Sequence, residues 1–210
     1  VKEKLQKLGL VVLTEQSSSE PEALGRVEWI KLFGVLFDKE DEAAHLFNEQ
    51  KARVEQTSGL ASSGKTVAYF YINSNGAAVT RRAGDYVAQM IELAGGKNAA
   101  EEITDTYWAE ISYEQLLAWD PAYIILASDA DYTVDDVLND ENLKDCTAVK
   151  NGQVYQIPGD VEALDSPVPA SILASVWLAG LLHPEQVPAD TYTTESNTYY
   201  ETFYGISNEN

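Results

Sequence analysis

Short apolar runs without alternation constrain the fold of this chain more than any other feature of its sequence. TVAYFYI occupies residues 66–72, AYIILA occupies residues 122–127, and KNGQVYQIP at residues 150–158 holds a third run behind an Asn-Gly turn. Strands that are apolar on both faces belong in a sheet that is covered on both sides, as is typical of parallel sheets. Helical segments separate these runs. The sequence therefore predicts an α/β fold of three layers around a mostly parallel sheet.

A long helical segment precedes the first of these strands. Residues 20–58 carry apolar side chains at helical spacing, and the clearest stripe is Trp29, Ile30, Phe33, Leu36 and Phe37. We predict one helix or a helix pair, in which Gly34 or the Phe37–Asp38 region is the place for a break. A segment of this length suits a spine that connects two bodies. In front of it, LGLVVL at residues 8–13 predicts a short buried strand, and behind the third strand Ser166 and Pro167 predict the start of a helix that ends at Leu182.

The loop GLASSGKT, residues 59–66, matches the phosphate-loop pattern G-x-x-x-x-G-K-[ST] at every required position. A phosphate loop needs a strand before it and a helix after it, because the amides of the helix N-terminus bind the phosphates. Here the predicted helix comes before the loop and a strand begins at Thr66. We interpret the loop as a connector. The alternative is a small α/β nucleotide hydrolase that uses Gly59–Thr66, with Lys65 on the phosphates.

The sequence offers few residues that could carry out other kinds of enzymatic chemistry. The chain holds two histidines and one cysteine, and it contains neither H-E-x-x-H nor G-x-S-x-G. The acidic stretch at residues 129–140 has calcium-loop spacing but has Val134 in place of the required glycine. We therefore predict no catalytic residues, no metal site and no cofactor.

The net charge argues against binding to nucleic acids or anionic membranes, and the hydropathy argues against a membrane-spanning helix. Fourteen lysines and arginines stand against 34 aspartates and glutamates, so the formal net charge is −20 and the chain would be repelled by nucleic acids and anionic membrane surfaces. The longest strongly apolar run, residues 172–182, is shorter than the roughly 20 residues that a membrane-spanning helix needs.

Two residue pairs are candidates for ligand binding. Arg81 and Arg82 follow the turn after the strand at 66–72, near the carboxyl end of a parallel strand, where open α/β sheets bind ligands. Arginine suits bidentate contact with a carboxylate or phosphate; the alternative is salt bridging with the abundant acids. Tyr107 and Trp108 lie before the helix that Ser112 caps, and they could either stack on a large ligand or seal the edge of the core.

Several motifs in a fixed order carry a family resemblance. GDYVAQMIELAGGKNAA, WAEISYEQLLAWDPAYIIL, AVKNGQVYQIP and SVWLAGLLHPEQ closely resemble the C-terminal lobe of substrate-binding proteins for iron-siderophore, haem and cobalamin ABC importers. EALGRVEWIKLFGVLFDKEDEA resembles the long interlobe helix of that family. The resemblance implies a non-catalytic, extracytoplasmic protein with two α/β lobes joined by a rigid helix and a ligand held between them.

The resemblance also divides the chain. Residues 1–19 correspond to a remnant of the N-terminal lobe, residues 20–58 to the interlobe helix and residues 59–210 to the C-terminal ligand-binding lobe. The N-terminal lobe is largely absent from this sequence. We therefore expect either a fragment or a chain that recruits another chain to complete the cleft.

The resemblance suggests the ligand class and its contacts. Arg81, Arg82, Tyr107 and Trp108 are candidate ligand-binding residues by position, and Asp160 and Glu162 in the loop after the third strand are weaker ones. Paired arginines would attract an anionic ferric chelate, and the indole would pack on its rim. We expect a ferric siderophore or a corrinoid. Haem is disfavoured, because the only methionine faces the core and neither histidine lies in a cleft loop.

The resemblance further implies a permease contact. The family's docking acid lies in an S-x-E motif at the head of a helix, which here is Ser112-Tyr113-Glu114. In the family this acid pairs with an arginine of the permease; the alternative is an acid that stabilises the helix dipole. The expected partners are an ABC permease with its ATPase. Membrane attachment would occur only through a lipid anchor that this chain lacks.

Overall fold

A six-stranded sheet forms the centre of the fold in the computed structural model, which describes residues 1–105 and 107–206. The strands are β1 (Thr66–Ile72), β2 (Ala78–Arg81), β3 (Lys97–Asn98), β4 (Trp108–Ile111), β5 (Tyr123–Leu126) and β6 (Val154–Gln156). Their order is β4-β2-β1-β5-β6, with β3 beside the first residues of β1. The pairs β1–β3, β1–β5 and β5–β6 are parallel, whereas β2 pairs antiparallel with both β1 and β4.

Helices cover both faces of this sheet, as the apolar runs predict. The helices of the described residues are α1 (Lys2–Lys7), α2 (Ala23–Glu28), α3 (Ile30–Phe37), α4 (Glu40–Ser58), α5 (Tyr86–Leu93), α6 (Tyr113–Trp119), α7 (Val134–Leu138), α8 (Thr147–Lys150), α9 (Leu173–Leu182) and α10 (Thr191–Tyr204). Of these, α1 has no buried residue and does not cover the sheet. Successive residues of β1 enter different cores: Tyr69 packs in the core shared with α4, α5, α9 and α10, and Phe70 packs in the core shared with α6, α7 and α8. The predicted three-layer α/β fold with a mostly parallel sheet is confirmed.

The segment that precedes β1 consists of three helices, where the sequence predicts one helix or a pair. The predicted break lies at Asp38, whose φ of 59° is left-handed. This turn folds α3 back onto α4. Gly34 permits the close approach, since a Cβ built there would lie 2.6 Å from the Ala43 Cβ.

Two local predictions are wrong. LGLVVL forms no strand: it takes part in no strand pairing of residues 1–105 and 107–206, and Leu10 and Val11 are 54% and 101% exposed. A buried parallel strand needs neighbouring strands. The helix expected from Ser166 begins only at Leu173, after a 3₁₀ turn at Pro169–Ile172. Prolines at 167 and 169 disfavour helical backbone at the residues before them, which delays the helix.

The GLASSGKT loop joins α4 to β1, and no helix follows Lys65. The Lys65 ammonium donates to the Leu182 carbonyl at 2.6 Å, at the end of α9. A connector of this geometry offers no helix N-terminus to a phosphate, which contradicts the phosphate-loop alternative.

None of the helices in the described residues combines the length and the apolar character that crossing a lipid bilayer requires.

Candidate ligand-binding site

A hairpin between β1 and β2 positions Arg81. The turn at residues 73–77 sends the chain back antiparallel to β1, so Arg81 lies on a strand rather than in the loop beyond the strand end. Arg81 is directly opposite Trp108 of β4, and directly opposed residues of an antiparallel pair share one face of the sheet. The hairpin therefore places a guanidinium beside an indole.

Aromatic rings surround the Arg81 guanidinium, and only 9% of the residue is exposed. Its Cζ lies 4.0 Å from the Trp108 ring centroid, 4.6 Å from that of Tyr86 and 5.7 Å from that of Tyr107. Burial lowers the pKa of Arg81, but neighbours, chiefly Tyr86 and Asp85, outweigh burial and leave the pKa above its ordinary value. Arg81 therefore stays charged inside the protein.

Arg81 does not use all of its hydrogen-bond donors within the described residues. Its Nη2 donates to the Asp165 carbonyl at 3.0 Å, and Nη1 lies 3.3 Å from the Tyr107 hydroxyl and 3.5 Å from Asp85 Oδ2. The contact with Asp85 agrees with the alternative of salt bridging. The Nε atom, however, is buried and has no partner among residues 1–105 and 107–206. A buried donor without a partner costs free energy, so this guanidinium retains capacity for a ligand or water.

A carboxylate that the sequence did not reveal organises the same region. Asp165 is 5% exposed, and its carboxylate accepts from the Tyr69 hydroxyl at 2.9 Å, the Ser128 amide at 3.0 Å and the Ser128 hydroxyl at 2.7 Å. Burial, followed by the charge of Asp165, raises the pKa of Tyr69 above its ordinary value, so Tyr69 remains a donor. This network joins β1, the end of β5 and the loop before α9.

These groups line an open cavity of about 380 Å³. It lies at the carboxyl ends of β1 and β5, where open α/β sheets place their ligands. Its floor includes the Arg81 and Asp165 groups, and Trp108, 39% exposed, forms a wall. The full lining is Tyr69, Tyr71, Ile72, Arg81, Trp108, Ala127, Asp129, Ala130, Asp131, Asp165 and Ser166.

The structure separates the two arginines that are adjacent in sequence. Arg82 is the first residue after β2, and it lines a different cavity together with Tyr107, Arg26 and Asp85. Tyr107 contacts both arginines, because its hydroxyl lies near Arg81 and its ring centroid lies 5.8 Å from the Arg82 Cζ.

The two weaker candidates lie away from Arg81. Asp160 is exposed and lines a third cavity, of about 470 Å³, between the ends of β5 and β6 and the start of α10. Glu162 is half-buried beneath α10, and burial raises its pKa above the ordinary value. Its Oε2 is buried without a hydrogen-bond partner in the described part of the chain. Neither carboxylate lines the Arg81 cavity.

Glu114 lies in the first turn of α6 and is exposed. Hydrogen bonds from its own backbone amide and from Ser112 hold the pKa of Glu114 below its ordinary value, so it is ionised at neutral pH. This position is compatible with both the docking contact and the helix-dipole role.

The acidic stretch at 129–140 is used for local structure. The Thr133 and Asp136 side chains form a reciprocal capping box at the start of α7, and Asp140 accepts from the Tyr132 hydroxyl at 2.7 Å. Within residues 1–105 and 107–206 there is no cluster of three or more His, Cys, Asp or Glu side chains with the geometry to hold a metal ion.

A mostly parallel sheet between helical layers, with a cavity at its carboxyl edge, defines the class of α/β lobes that bind solutes. The chain belongs to the periplasmic binding protein family, whose sequence profile matches residues 2–161.

Relatives with known names or structures agree with this assignment. The chain is 29% identical over 188 residues to the molybdate-binding protein MolA of Haemophilus influenzae, a match that covers 87% of the chain and 52% of MolA. The structure of MolA bound to molybdate is 25% identical, with a TM-score of 0.70, over 94% of this chain and 60% of that one. The chain spans about half the length of the curated relatives it matches.

Two further structures share the fold at lower identity. A periplasmic solute-binding protein from Veillonella parvula is 24% identical, with a TM-score of 0.78, over 99% of this chain and 64% of that one. A protein of an ABC-type Fe³⁺-hydroxamate transport system from Saccharomonospora viridis is 23% identical, with a TM-score of 0.68, over 86% of this chain and 64% of that one.

Proposed function

We propose that this chain is the ligand-binding lobe of an extracytoplasmic substrate-binding protein, which delivers an anionic, metal-containing ligand to an ABC importer. The observation that carries the proposal is the Arg81 guanidinium at the carboxyl edge of the sheet, which is buried and charged and whose Nε has no partner among the residues that the structure describes. Trp108 offers an apolar ring beside it. A charged donor next to an exposed aromatic face suits a ligand with both anionic and flat apolar parts.

The charges that line the cavity favour a large ligand over a bare oxyanion. The carboxylates of Asp129, Asp131 and Asp165 line the cavity with a single guanidinium. A compact dianion would meet repulsion from the carboxylates wherever it lay close to Arg81. A ferric siderophore can place its anionic chelate on Arg81 and its polar or cationic groups near the acids, and a corrinoid can place its ring on Trp108.

Molybdate is the second candidate, and the 29% identity to MolA favours it. It would need the Arg81 guanidinium to outweigh the neighbouring carboxylates, because the single proton of the Tyr69 hydroxyl is already donated to Asp165. The two candidates differ in one measurable respect: a siderophore or corrinoid should contact the Trp108 ring, whereas a tetrahedral oxyanion has no apolar face to place on it.

Tryptophan fluorescence of the protein expressed from its complete reading frame tests the proposal. The titrants are a ferric catecholate, a ferric hydroxamate, cyanocobalamin and sodium molybdate. We expect quenching by a ferric chelate or the corrinoid, and loss of that quenching in Trp108→Phe. Arg81→Gln should weaken binding roughly tenfold or more, because it removes a charge-assisted hydrogen bond.

Lys97→Gln is the matched control, since Lys97 is exposed, pairs with Glu101 and carries the same charge. Equal affinity of wild type and Arg81→Gln for every titrant would contradict the ligand site. Saturable binding of molybdate and of no other titrant would indicate that the transported ligand is molybdate and not a siderophore or corrinoid.

The proposed permease contact has its own experiment. Glu114→Arg should leave ligand binding intact and decrease uptake into cells, because it would place an arginine opposite the arginine expected on the permease. Glu55→Arg is the control, since Glu55 is exposed on α4, in the helical layer on the other side of the sheet. Loss of ligand binding in Glu114→Arg, or equal loss of uptake in both variants, would contradict the docking role.

A further inference from the structure

A second cavity, of about 350 Å³, lies between the start of α2 and the end of β2, and Tyr107 is part of its lining. Its lining is Ser18, Ser19, Glu20, Pro21, Arg26, Arg82, Gly84, Asp85 and Tyr107. The chain holds four arginines, and two of them line this one cavity. That concentration of guanidinium groups is unexpected in a chain with a net charge of −20.

Arg26 is fixed in place by groups that leave part of its guanidinium free. The residue is 4% exposed, its Nε donates to the Glu20 carbonyl at 2.8 Å, and its Cζ lies 3.7 Å from the Tyr86 ring centroid. Its Nη1 is buried and has no hydrogen-bond partner in the described parts of the chain. Stacking on a ring occupies the face of a guanidinium but not the N–H donors at its edge.

Arg82 also has a guanidinium N–H donor without a hydrogen-bond partner in the described residues. It is half-buried, and its Nε is buried without a partner within the described ranges. Each unpartnered donor inside the protein costs free energy that a ligand oxygen would recover.

The neighbouring carboxylates do not neutralise these two arginines. Asp85 Oδ1 accepts from the Val87 amide at 3.1 Å, and Oδ2 lies 3.5 Å from Arg81. Glu20 Oε1 lies 3.4 Å from the Glu22 amide. Considering residues 1–105 and 107–206 alone, neither Arg26 nor Arg82 has a carboxylate oxygen within the 4.0 Å of a salt bridge.

We propose that the Arg26–Arg82 cavity is a second binding site, specific for a small oxoanion of the phosphate, sulfate or carboxylate type. Each guanidinium has an N–H donor without a partner in the described residues and can supply charge-assisted hydrogen bonds, and Ser18 and Ser19, which also line the cavity, carry hydroxyl donors. This site is distinct from the Arg81 cavity and does not depend on which ligand is transported.

Arginine side-chain NMR tests the site directly. The Nε–Hε signals of Arg26 and Arg82 are followed in ¹⁵N-labelled protein during titration with phosphate, sulfate and acetate, with chloride at matched ionic strength as the reference. We expect both signals to shift in a saturable manner with at least one oxoanion and not with chloride. Arg82→Gln should weaken binding by roughly tenfold or more, because it removes a charged donor.

Lys97→Gln is again the charge control, and it should leave the affinity unchanged. Arg26→Gln is the second variant, and because Arg82 is only half-buried, Arg82→Gln remains informative if Arg26→Gln does not fold. Signals that respond to no oxoanion, or respond to chloride equally, would overturn the proposal. Since the readout is the Arg26 and Arg82 signals, that failure would leave the fluorescence test of the Arg81 cavity unaffected.

Discussion

Asp165 should be a main determinant of stability around the Arg81 cavity. Its carboxylate accepts three hydrogen bonds, at 2.7–3.0 Å, from Tyr69 and Ser128, and the residue is 5% exposed. Asp165→Ala removes all three bonds and leaves the buried Tyr69 hydroxyl without its acceptor. A hydrogen bond to a charged group contributes about 1.5–3 kcal/mol, and groups left unpaired add to the loss. We therefore expect the free energy of unfolding to decrease by about 3–5 kcal/mol.

Asp165→Asn should cost less, about 1–2 kcal/mol, because the amide oxygen can still accept and the Ser128 hydroxyl can rotate to accept from the amide nitrogen. The Arg81 contact should persist in both variants, since Arg81 donates to the backbone carbonyl of residue 165. Urea unfolding followed by far-UV circular dichroism measures both values.

Asp145→Asn provides the matched control, since the Asp145 side chain is 75% exposed and pairs with Lys150 at 3.5 Å. It should change stability by no more than about 0.5 kcal/mol. An Asp165→Ala protein within about 1 kcal/mol of wild type would refute the view that this carboxylate holds β1, β5 and the loop before α9 together.

Four further substitutions test other parts of the fold. Gly95→Ala should destabilise by about 2–4 kcal/mol in thermal or urea unfolding, because φ is +76° and the new Cβ would lie 2.8 Å from His183 Nε2. Gly152→Ala, at φ +64° with no atom within 4 Å, should cost only about 1–2 kcal/mol. Burial raises the pKa of Glu162 above its ordinary 4.5, so wild type should lose stability relative to Glu162→Gln as the pH rises above 4.5; parallel curves would contradict this. Lys65→Met should cost about 1–2 kcal/mol through its lost bond to the end of α9, and calorimetry should detect ATP binding to neither protein.

The architecture could be predicted from sequence because it depends on local periodicity. The apolar runs that become β1 and β5 indicate strands covered on both faces, and the order of helix and strand around GLASSGKT is enough to predict a connector. LGLVVL shows the limit of the same reasoning. An apolar run indicates a strand only where neighbouring strands exist to pair with it, and that information does not lie within the run.

The site was harder to predict because it depends on register and on distant contacts. Arg81 and Arg82 are adjacent in the chain, yet β2 ends between them and they line different cavities. Asp165 lies 96 residues from Tyr69 and 37 from Ser128, its hydrogen-bond partners. Tyr107 and Trp108 were candidates because they lie shortly before a recognisable helix cap, at Ser112.

Tyr107 links the two cavities, because it lines the Arg26–Arg82 cavity and contacts Arg81, which lines the other. Its hydroxyl lies 3.3 Å from Arg81 Nη1, and its ring lies 5.8 Å from the Arg82 Cζ. An occupant that reorients this ring on one side alters the environment that an occupant meets on the other. Thermodynamic reciprocity then requires the effect on affinity to be the same in both directions, so an oxoanion that increases the affinity for the transported ligand must itself bind more tightly while that ligand is bound.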